Sequence, residues 1–386
     1  MSENKEQMSQ EMLIKKADDE KNVKILASIE KLKNKQNKFM FCVPDTTQPN
    51  ASVYEIYFHA KTLQNLGYNV IMLTENKDYV VPEFIEKSLV DEIEHTSMQD
   101  TKITVSPDDF MIIPDLFSNV MEQTKKLPCK RIGFLQSFDY MLNSLIPGTT
   151  WNSFGVSDII TTSKTLSDMV VRYYDKMYNI KTYDIGIPDY FNADKNMPKK
   201  PIVSIVGRNA NDISKVVKLF YARYPHFNWI SFDPMLTKKK PPQPMRRVDF
   251  ANRLKNNFAA IWIDRIASFG TFPLECMKSG TIPVALKPDI TPPYIHNEEE
   301  MLENVGYWTN DIYDIPEILG NLLTKFLDDN IDDTVFEGMR ENVEKYNPQN
   351  SAEQLKNVYE EFVNERIEFF EKSITNNNNK KTNENE

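Results

Sequence analysis

The stretch IWIDRIASFGTFPLECMKSGTIPVALKP, which runs from Ile261 to Pro288, decides the fold class. An apolar strand leads into a loop that contains Gly270, a short helix follows and ends at Gly280, and a second apolar strand comes after it. A strand–helix–strand unit of this kind predicts a parallel sheet. The loop then lies at the carboxyl end of a parallel strand, which is where open α/β sheets bind their ligands.

The start of the short helix carries groups that suit a phosphorylated ligand. Its first turn, Thr271–Pro273, has backbone amides that the helix itself does not use, and these can receive phosphate oxygens. Pro273 fits this turn because its missing N–H is not needed there. The Glu275 carboxylate can accept two hydroxyl groups of a ribose. The residues alone leave open an ordinary strand–turn–helix unit in which Glu275 only favours the helix N-terminus.

Strand and helix patterns alternate on both sides of this stretch, which predicts an α/β protein with two halves. The predicted strands are Lys38–Val43, Asn69–Leu73, Asp109–Ile113, Arg131–Leu135, Asp158–Thr162, Ile202–Val206, Asn228–Phe232, Ala259–Ile263 and Thr281–Leu286. The first of the longer predicted helices begins at a capping box of Ser52 and Glu55 and ends at Gly67. The others are Ser163–Tyr174, Ile213–Tyr224 and Ala352–Phe370, and the last has Ser351 and Gln354 as a second capping box.

The same pattern divides the chain into five segments. Residues 1–37 are predicted to form a polar, loosely docked helical leader, residues 38–195 a first Rossmann-like lobe and residues 196–350 a second one. A helix over 351–373 follows. Residues 374–386 are rich in Asn and Lys, and we expect a disordered tail there because such a segment buries too little apolar surface to order itself.

Composition narrows the classes of function. The 386 residues carry a formal net charge of −10, which argues against nucleic acid or an anionic membrane as the main partner. The three Cys and four His residues are scattered, so neither a metal site nor a disulfide framework is predicted. The polar N-terminus and the lack of a long apolar run predict a cytoplasmic protein without a signal peptide or membrane span.

The central stretch resembles the donor-binding signature of GT-B glycosyltransferases, especially the retaining family 4 type. Ser268–Glu275 matches that family's Gly-Phe-Gly-like loop, its Pro and its second Glu, and Gly280–Val284 matches its Gly-Thr-Pro turn with one extra residue. Similar runs occur in phage-encoded glycosyltransferases. The resemblance implies two Rossmann-like domains that face each other across a cleft. It assigns the acceptor to the first lobe and the nucleotide sugar to the second, and it implies a last helix that returns to the first lobe.

Two further segments resemble the family. Ile187–Phe191 is similar to its interdomain segment without the Gly, and Val206–Arg208 followed by Lys215 is similar to its phosphate clamp. Two cations on one loop can offset a pyrophosphate without a metal ion. From the residues alone, both cations can also be ordinary surface groups. The donor-binding residues that the resemblance implies are Gly207, Arg208, Lys215, Phe269, Gly270, Thr271 and Glu275, and Arg208 and Glu275 are also assigned to catalysis.

The chain departs from the family pattern in both lobes. The first Glu of the family pair falls at Ala267, whose side chain cannot form a hydrogen bond, and Asp264 or Arg265 is the candidate substitute. We assign Asp264 to catalysis on this ground. The Gly-rich loop and the catalytic-region His of the family's first lobe are also missing. The residues that stand in their place, and that we assign to the acceptor side, are Asp45, Thr46, Thr47, Gln136 and Asp139, with Ser137 beside them. The first three can instead be phosphate-side contacts.

The sequence therefore predicts a metal-independent glycosyltransferase that moves a hexosyl group from a UDP- or GDP-linked sugar, which is a substrate and not a cofactor. The sequence does not decide the acceptor (a glycan, a protein or a modified DNA base), the stereochemical outcome or the oligomeric state. A phage-encoded enzyme would act in the host cytoplasm. Two alternatives remain: a degenerate GT-B module with a binding or virion-associated role, and a GT-B-like sugar-nucleotide epimerase. The basic run Thr237–Arg247 is interpreted as a solvated loop that can also contact an anion.

Overall fold

Two parallel sheets form the framework of the protein. The structure, a computed structural model, describes residues 19–46, 50–100, 103–193, 198–234, 245–295 and 305–383. In these ranges the first sheet comprises β1 (Lys38–Val43), β2 (Asn69–Thr74), β3 (Glu94–Ser97), β4 (Phe110–Pro114), β5 (Lys130–Leu135), β6 (Asp158–Thr161) and β7 (Asn179–Thr182). The strand order is β3-β2-β1-β4-β5-β6-β7, and every pairing is parallel.

The second sheet is smaller and is also parallel where the structure describes it. Its strands are β8 (Lys200–Gly207), β9 (Ser231–Pro234), β10 (Asn257–Ile263), β11 (Ile282–Leu286) and β12 (Tyr307–Thr309), in the order β12-β11-β10-β8-β9. The central strand β10 is buried along its whole length. A continuous apolar strand of this kind is expected in a parallel sheet, because helices cover both faces.

Helices connect the strands in both lobes. The described helices of the first lobe are α1 (residues 19–33), α2 (Ala51–Asn65), α3 (Lys87–Val90), α4 (Ser118–Gln123), α5 (Phe138–Ser144) and α6 (Lys164–Tyr174). Those of the second lobe are α7 (Ala210–Arg223), α8 (Arg247–Asn256), α9 (Thr271–Lys278), α10 (Ile315–Leu327) and α11 (Asp333–Glu344), and α12 (Pro348–Asn383) follows. No described helix is both long and apolar enough to cross a membrane.

The last helix returns to the first lobe, as the sequence predicts. Lys181 on β7 binds Glu361 and Glu365 of α12, with Nζ–Oε distances of 2.6 and 2.8 Å. The Tyr359 hydroxyl lies 2.9 Å from Nδ1 of His59 on α2, inside the core. The helix therefore closes the chain back onto the sheet of the first lobe and ties the two lobes together.

The capping box predicted at Ser52 is wrong. The helix α2 begins one residue earlier, and the side chain of Asn50 accepts hydrogen bonds from the amides of Ser52 (2.9 Å) and Val53 (3.4 Å). Asn is as good an N-cap as Ser, and its position here leaves Glu55 free for another role. Glu55 turns into the interior, where it is 2% exposed.

The second predicted capping box is wrong for the same kind of reason. The helix α12 begins at Pro348, ahead of Ser351, and Gln354 accepts a hydrogen bond from the amide of Asp184 (2.7 Å). The helix also continues to Asn383, into the range predicted as a disordered tail, while residues 384–386 lie outside the described ranges. Each residue added to an existing helix gains a hydrogen bond, so a polar segment can extend it.

The other predicted strands and helices all overlap observed elements, although one strand boundary differs clearly and some short strands were not predicted. The strand predicted at Asn228–Phe232 begins three residues later, at Ser231. The short strands β3, β7 and β12 were not predicted. In the leader, α1 covers residues 19–33 and buries Ile29 and Leu32 against the first lobe, whereas residues 1–18 lie outside the described ranges.

Candidate functional site

The site lies at the carboxyl edge of the second sheet. Strands β8 and β10 pair in a register that places Gly207 opposite Ile263, so the loops that follow them start side by side. A side chain at Gly207 would approach the Ile263 carbonyl oxygen to 3.1 Å, which is tighter than an ordinary contact. The absence of a side chain there lets the two strand ends lie close together.

The two loops are joined by an ion pair between Arg208 and Asp264. Arg208 Nε donates to Asp264 Oδ2 over 2.7 Å, and one of its terminal nitrogens donates to the hydroxyl of Tyr140, which belongs to α5 of the first lobe. The Arg208 side chain remains 48% exposed, while that of Asp264 is 10% exposed. A guanidinium has five N–H donors, so Arg208 keeps capacity for a further anion while it spans the lobes.

The loop after β5 meets the loop after β10 across the lobes. The Phe138 amide donates to Ser268 Oγ over 3.1 Å. The buried Asp115 carboxylate shapes this loop by accepting from the amides of Gln136 (2.9 Å) and Ser137 (2.7 Å). Burial raises the pKa of Asp115 to about 7, although these two amides act in the opposite direction. The backbone of residues 136–138 is therefore held in place against the second lobe.

Gly270 sets the direction of α9. It has the left-handed conformation (φ 73°) and precedes the first turn at Thr271 without a side-chain cap. The Tyr294 hydroxyl donates to its carbonyl oxygen over 2.8 Å, and an added Cβ would lie 2.6 Å from the ring of Trp262. Only glycine both adopts this backbone angle without strain and fits the space beside Trp262. The first turn of α9 therefore has backbone amides that no side-chain cap satisfies.

Glu275, one turn further along α9, is engaged with a residue that the sequence analysis did not select. Its Oε1 accepts a hydrogen bond from Arg247 Nη2 over 2.6 Å, and the two side chains are 7% and 9% exposed. The interpretation of Thr237–Arg247 as a solvated loop is therefore wrong at its last residue, and residues 235–244 lie outside the described ranges. Arg247 is buried because α8 begins at this position and packs against α9.

A second buried carboxyl group faces this ion pair from the first lobe. Glu55 on α2 accepts a hydrogen bond from the Tyr183 hydroxyl over 3.1 Å. Burial raises the pKa of Glu55 to about 8, against the effects of Arg247 and the Tyr183 hydrogen bond, and Glu275 adds to the rise. Glu55 is thus mostly protonated at neutral pH, and the ion pair beside it is the one between Arg247 and Glu275.

Three of the other predicted donor- and acceptor-side residues lie in settings that do not depend on a ligand. Lys215 is 52% exposed and pairs with Asp212 on its own helix over 3.0 Å. Phe269 is 4% exposed and packs its ring against Tyr294 and Tyr346, so its side chain belongs to the core. Gln136 donates through Nε2 to the Ser52 carbonyl oxygen, over 3.1 Å.

The remaining acceptor-side residues divide between two places. Asp45 accepts hydrogen bonds from the amides of Glu75 (3.3 Å) and Asn76 (3.1 Å), which ties the loop after β1 to the loop after β2. Thr46 lies beside it, and Thr47 lies outside the described residues. Asp139 lies near Arg208, where burial and the charge of Asp289 raise its pKa. Asp139 is thus the acceptor-side residue that the fold brings to the Arg208–Asp264 pair.

Solved structures share this architecture. A sucrose-phosphate synthase from Thermosynechococcus elongatus matches with a TM-score of 0.56 and 13% identity, over 84% of this chain and 99% of its own. A pneumococcal O-GlcNAc transferase, solved with UDP and GlcNAc, matches with a TM-score of 0.57 and 9% identity, over 86% and 99%. A glycosyltransferase from Rickettsia africae matches with a TM-score of 0.50 and 14% identity, over 86% and 98%.

The chain has the GT-B fold. The similar solved structures are GT-B glycosyltransferases, and at 9–14% identity they show the fold alone. No known family model matches the sequence, and no curated protein matches it significantly.

Sequence analysis did not assign four residues to the site that the structure places in or beside it: Glu55, Asp115, Tyr140 and Arg247. Each reaches the site through a contact between residues at least 20 positions apart. Glu55 carried a signal, because a Glu among the apolar residues of α2 stands out, but a capping role explained it equally well. Arg247 ends the basic run Thr237–Arg247, but that run favoured a solvated loop, and no local pattern marks Asp115 or Tyr140.

The buried Glu55 predicts a specific pH dependence of stability. Its pKa of about 8 exceeds the unfolded value of about 4.3, so the folded state holds a proton that the unfolded chain releases. This contribution to stability is complete below about pH 4.3 and is lost as the pH rises to about 8. We expect Glu55→Gln to remove this loss, so that its free energy of unfolding rises relative to the wild type by up to about 1.4 kcal/mol per pH unit.

Urea unfolding at pH 5, 6.5 and 8 measures this difference. Glu337→Gln, at an exposed position on α11, is the control and should follow the wild type at every pH. Parallel pH profiles of Glu55→Gln and the wild type would show that Glu55 is ionised in the folded protein throughout the range.

Proposed function

We propose that this protein is a glycosyltransferase that moves a hexosyl group from a UDP- or GDP-linked sugar to an acceptor bound against the first lobe. The Arg208–Asp264 pair carries the proposal. It lies at the carboxyl edge of the second sheet, and its Arg reaches Tyr140 of the first lobe. This is the position where an open α/β sheet binds ligands, and a half-exposed guanidinium suits a diphosphate.

In the proposed mechanism the protein stabilises the leaving diphosphate. Arg208 donates to the phosphate oxygens as negative charge develops on them, and the amides at Gly270 and Thr271 add donors from the start of α9. Glu275 accepts the ribose hydroxyls. Positive charge from Arg208 and the helix N-terminus replaces that of a metal ion, so we propose a metal-independent reaction.

Asp264 is proposed to act at the sugar. Its Oδ2 accepts from Arg208 and its Oδ1 accepts from the amide of Ile266 over 3.2 Å, which fixes the carboxylate at the mouth of the loop. Ala267 follows in the same loop, and its side chain offers no hydrogen bond. The carboxylate that the family supplies one turn before α9 would then come from Asp264.

A second candidate function is a degenerate GT-B module that binds a nucleotide sugar without transferring it. The observation in its favour is Ala267, a 9% exposed methyl group at the position of the family's first Glu. In this case Asp264 serves only to hold Arg208. Binding without turnover separates the two candidates.

Calorimetry and donor hydrolysis with UDP-glucose, UDP-N-acetylglucosamine, UDP-galactose and GDP-mannose test the proposal. We expect one donor to bind and to be slowly hydrolysed, with an unchanged rate in EDTA because no metal ion takes part. Binding without hydrolysis or transfer to any acceptor in a host extract would favour the degenerate module. If none of the four binds, the proposal fails.

A further inference from the structure

Arg247 occupies a position that helix formation does not explain. It is the first residue of α8, where a positive charge opposes the helix dipole. It is also 9% exposed, and burying a guanidinium costs stability unless partners compensate for the lost water. Its placement therefore calls for an explanation from the residues around it.

The partners of Arg247 come from both lobes. Its Nη2 lies 2.6 Å from Glu275 Oε1 on α9. Its Cζ lies 3.8 Å from the ring centre of Tyr54 on α2 and 5.7 Å from that of Phe191, in the segment between the lobes. A guanidinium stacked on an aromatic face and bound to a carboxylate is held in both position and orientation. The orientation of Glu275 thus depends on a residue of the opposite lobe.

The cluster also keeps unused hydrogen-bonding capacity. Arg247 Nη1 is buried and has no hydrogen-bond partner among the described residues. The described residues donate to the Glu275 carboxylate only at Oε1, from Arg247. A buried donor without a partner is unfavourable, so it favours a ligand that supplies an oxygen. A ribose diol has hydroxyl groups that both accept and donate hydrogen bonds.

We propose that Arg247 is a positioning residue that fixes Glu275 for recognition of the ribose hydroxyls of a nucleoside diphosphate. Oε1 stays bound to Arg247, and the carboxylate turns its remaining accepting positions to the ribose. Because Tyr54 belongs to the first lobe, Arg247 is held in this orientation only when the two lobes are in contact. The inference rests on the proposed function, in which Glu275 accepts the ribose hydroxyls, and it adds the residue that orients Glu275.

Ribose selectivity measures this role directly. The affinities of UDP and GDP are compared with those of their 2′,3′-dideoxy forms, which lack the two hydroxyls. For the nucleotide that binds, we expect the wild type to favour the ribose form by on the order of 10²-fold, because hydrogen bonds to a charged group are strong. Glu275→Gln and Arg247→Lys should each reduce this ratio to about 3-fold or less, since Lys keeps the charge but not the planar fork. The double variant should lose no more than either single one.

Two controls separate positioning from a loss of folding. Inorganic pyrophosphate should bind Arg247→Lys as it binds the wild type, because Arg208 is unchanged. If Arg247→Lys does not fold, Tyr54→Leu and Tyr54→Phe replace it. Tyr54→Phe keeps the aromatic face and should keep the ribose selectivity, whereas Tyr54→Leu should reduce it several-fold.

The outcomes distinguish this inference from the proposed function. A wild type that binds neither nucleotide overturns both. A wild type that binds UDP or GDP and its dideoxy form equally well leaves nucleotide binding in place and overturns ribose recognition by Glu275. Full selectivity retained in folded Arg247→Lys or Tyr54→Leu overturns the positioning role alone.

Discussion

Replacing Arg208 by Ala should lower the rate of donor turnover about 10²–10³-fold, the loss typical of removing one donor that stabilises charge in a transition state. The loss should fall on kcat as well as kcat/KM, because the diphosphate gains charge as the sugar leaves. Arg208 is 48% exposed, so the free energy of unfolding should change by less than about 1 kcal/mol. Steady-state kinetics on the donor that binds, with a thermal melt of each protein, measures both.

Arg223→Ala is the matched control. Arg223 lies in the same lobe, is 56% exposed and pairs with the Glu317 carboxylate over 2.8 Å. This pair joins the helices α7 and α10 and does not lie at the carboxyl edge of the sheet. Its removal should leave kcat unchanged. Equal kinetics for the two variants would remove Arg208 from the mechanism and with it the observation that carries the proposed function.

Replacing Gly270 by Ala should cost about 2–5 kcal/mol of the free energy of unfolding and weaken binding of the diphosphate. A left-handed backbone costs a residue with a side chain about 1–2 kcal/mol. The new Cβ would also lie 2.6 Å from Trp262 and 3.0 Å from the Tyr294 hydroxyl, and overpacking typically costs about 1–3 kcal/mol more. Relief of this crowding would shift the first turn of α9, whose amides are proposed to bind phosphate.

Gly148→Ala measures the conformational cost alone, so its difference from Gly270→Ala gives the packing contribution. Gly148 has a similar backbone angle, φ 84°, and an added Cβ meets nothing within 4 Å. The free energy of unfolding of Gly148→Ala should therefore fall only by the conformational cost of about 1–2 kcal/mol. Urea unfolding of the two variants and calorimetry with UDP or GDP test the difference. Equal destabilisation would mean that the Trp262 contact relaxes freely and does not hold α9 in place.

Local patterns account for most of the fold. Each predicted strand overlaps an observed strand, because buried parallel strands are continuous apolar runs that can be recognised in the sequence. The missed strands β3 (EHTS) and β7 (NIKT) are short and largely polar, and their strand character depends on the neighbour with which they pair. The helix starts were wrong where two residues competed for one cap, as Asn50 and Ser52 did.

In the site, too, some contacts follow from local patterns and others only from the fold. Asp264 follows directly on one predicted strand, and Arg208 is separated from the end of another by one residue, so their meeting at one sheet edge follows from parallel topology. The Arg247–Glu275 pair joins α8 to α9 and stacks on α2, and nothing within a short window of sequence encodes it. Phe269 has a place in the motif, yet its ring belongs to the core, because a motif specifies residue types and not directions.

The stretch Ile261–Pro288, by itself, determined a strand, a glycine turn and a helix whose first amides are free, because backbone geometry and hydrogen bonding act over a few residues. It also determined that the side chain of Ala267 contributes no hydrogen bond. Only the tertiary structure decided that Arg208 spans to Tyr140, that Glu275 is held by Arg247, and that Glu55 is buried beside them. These are contacts between distant segments and between lobes, and their energies depend on burial, which arises only when the two sheets and the returning helix come together.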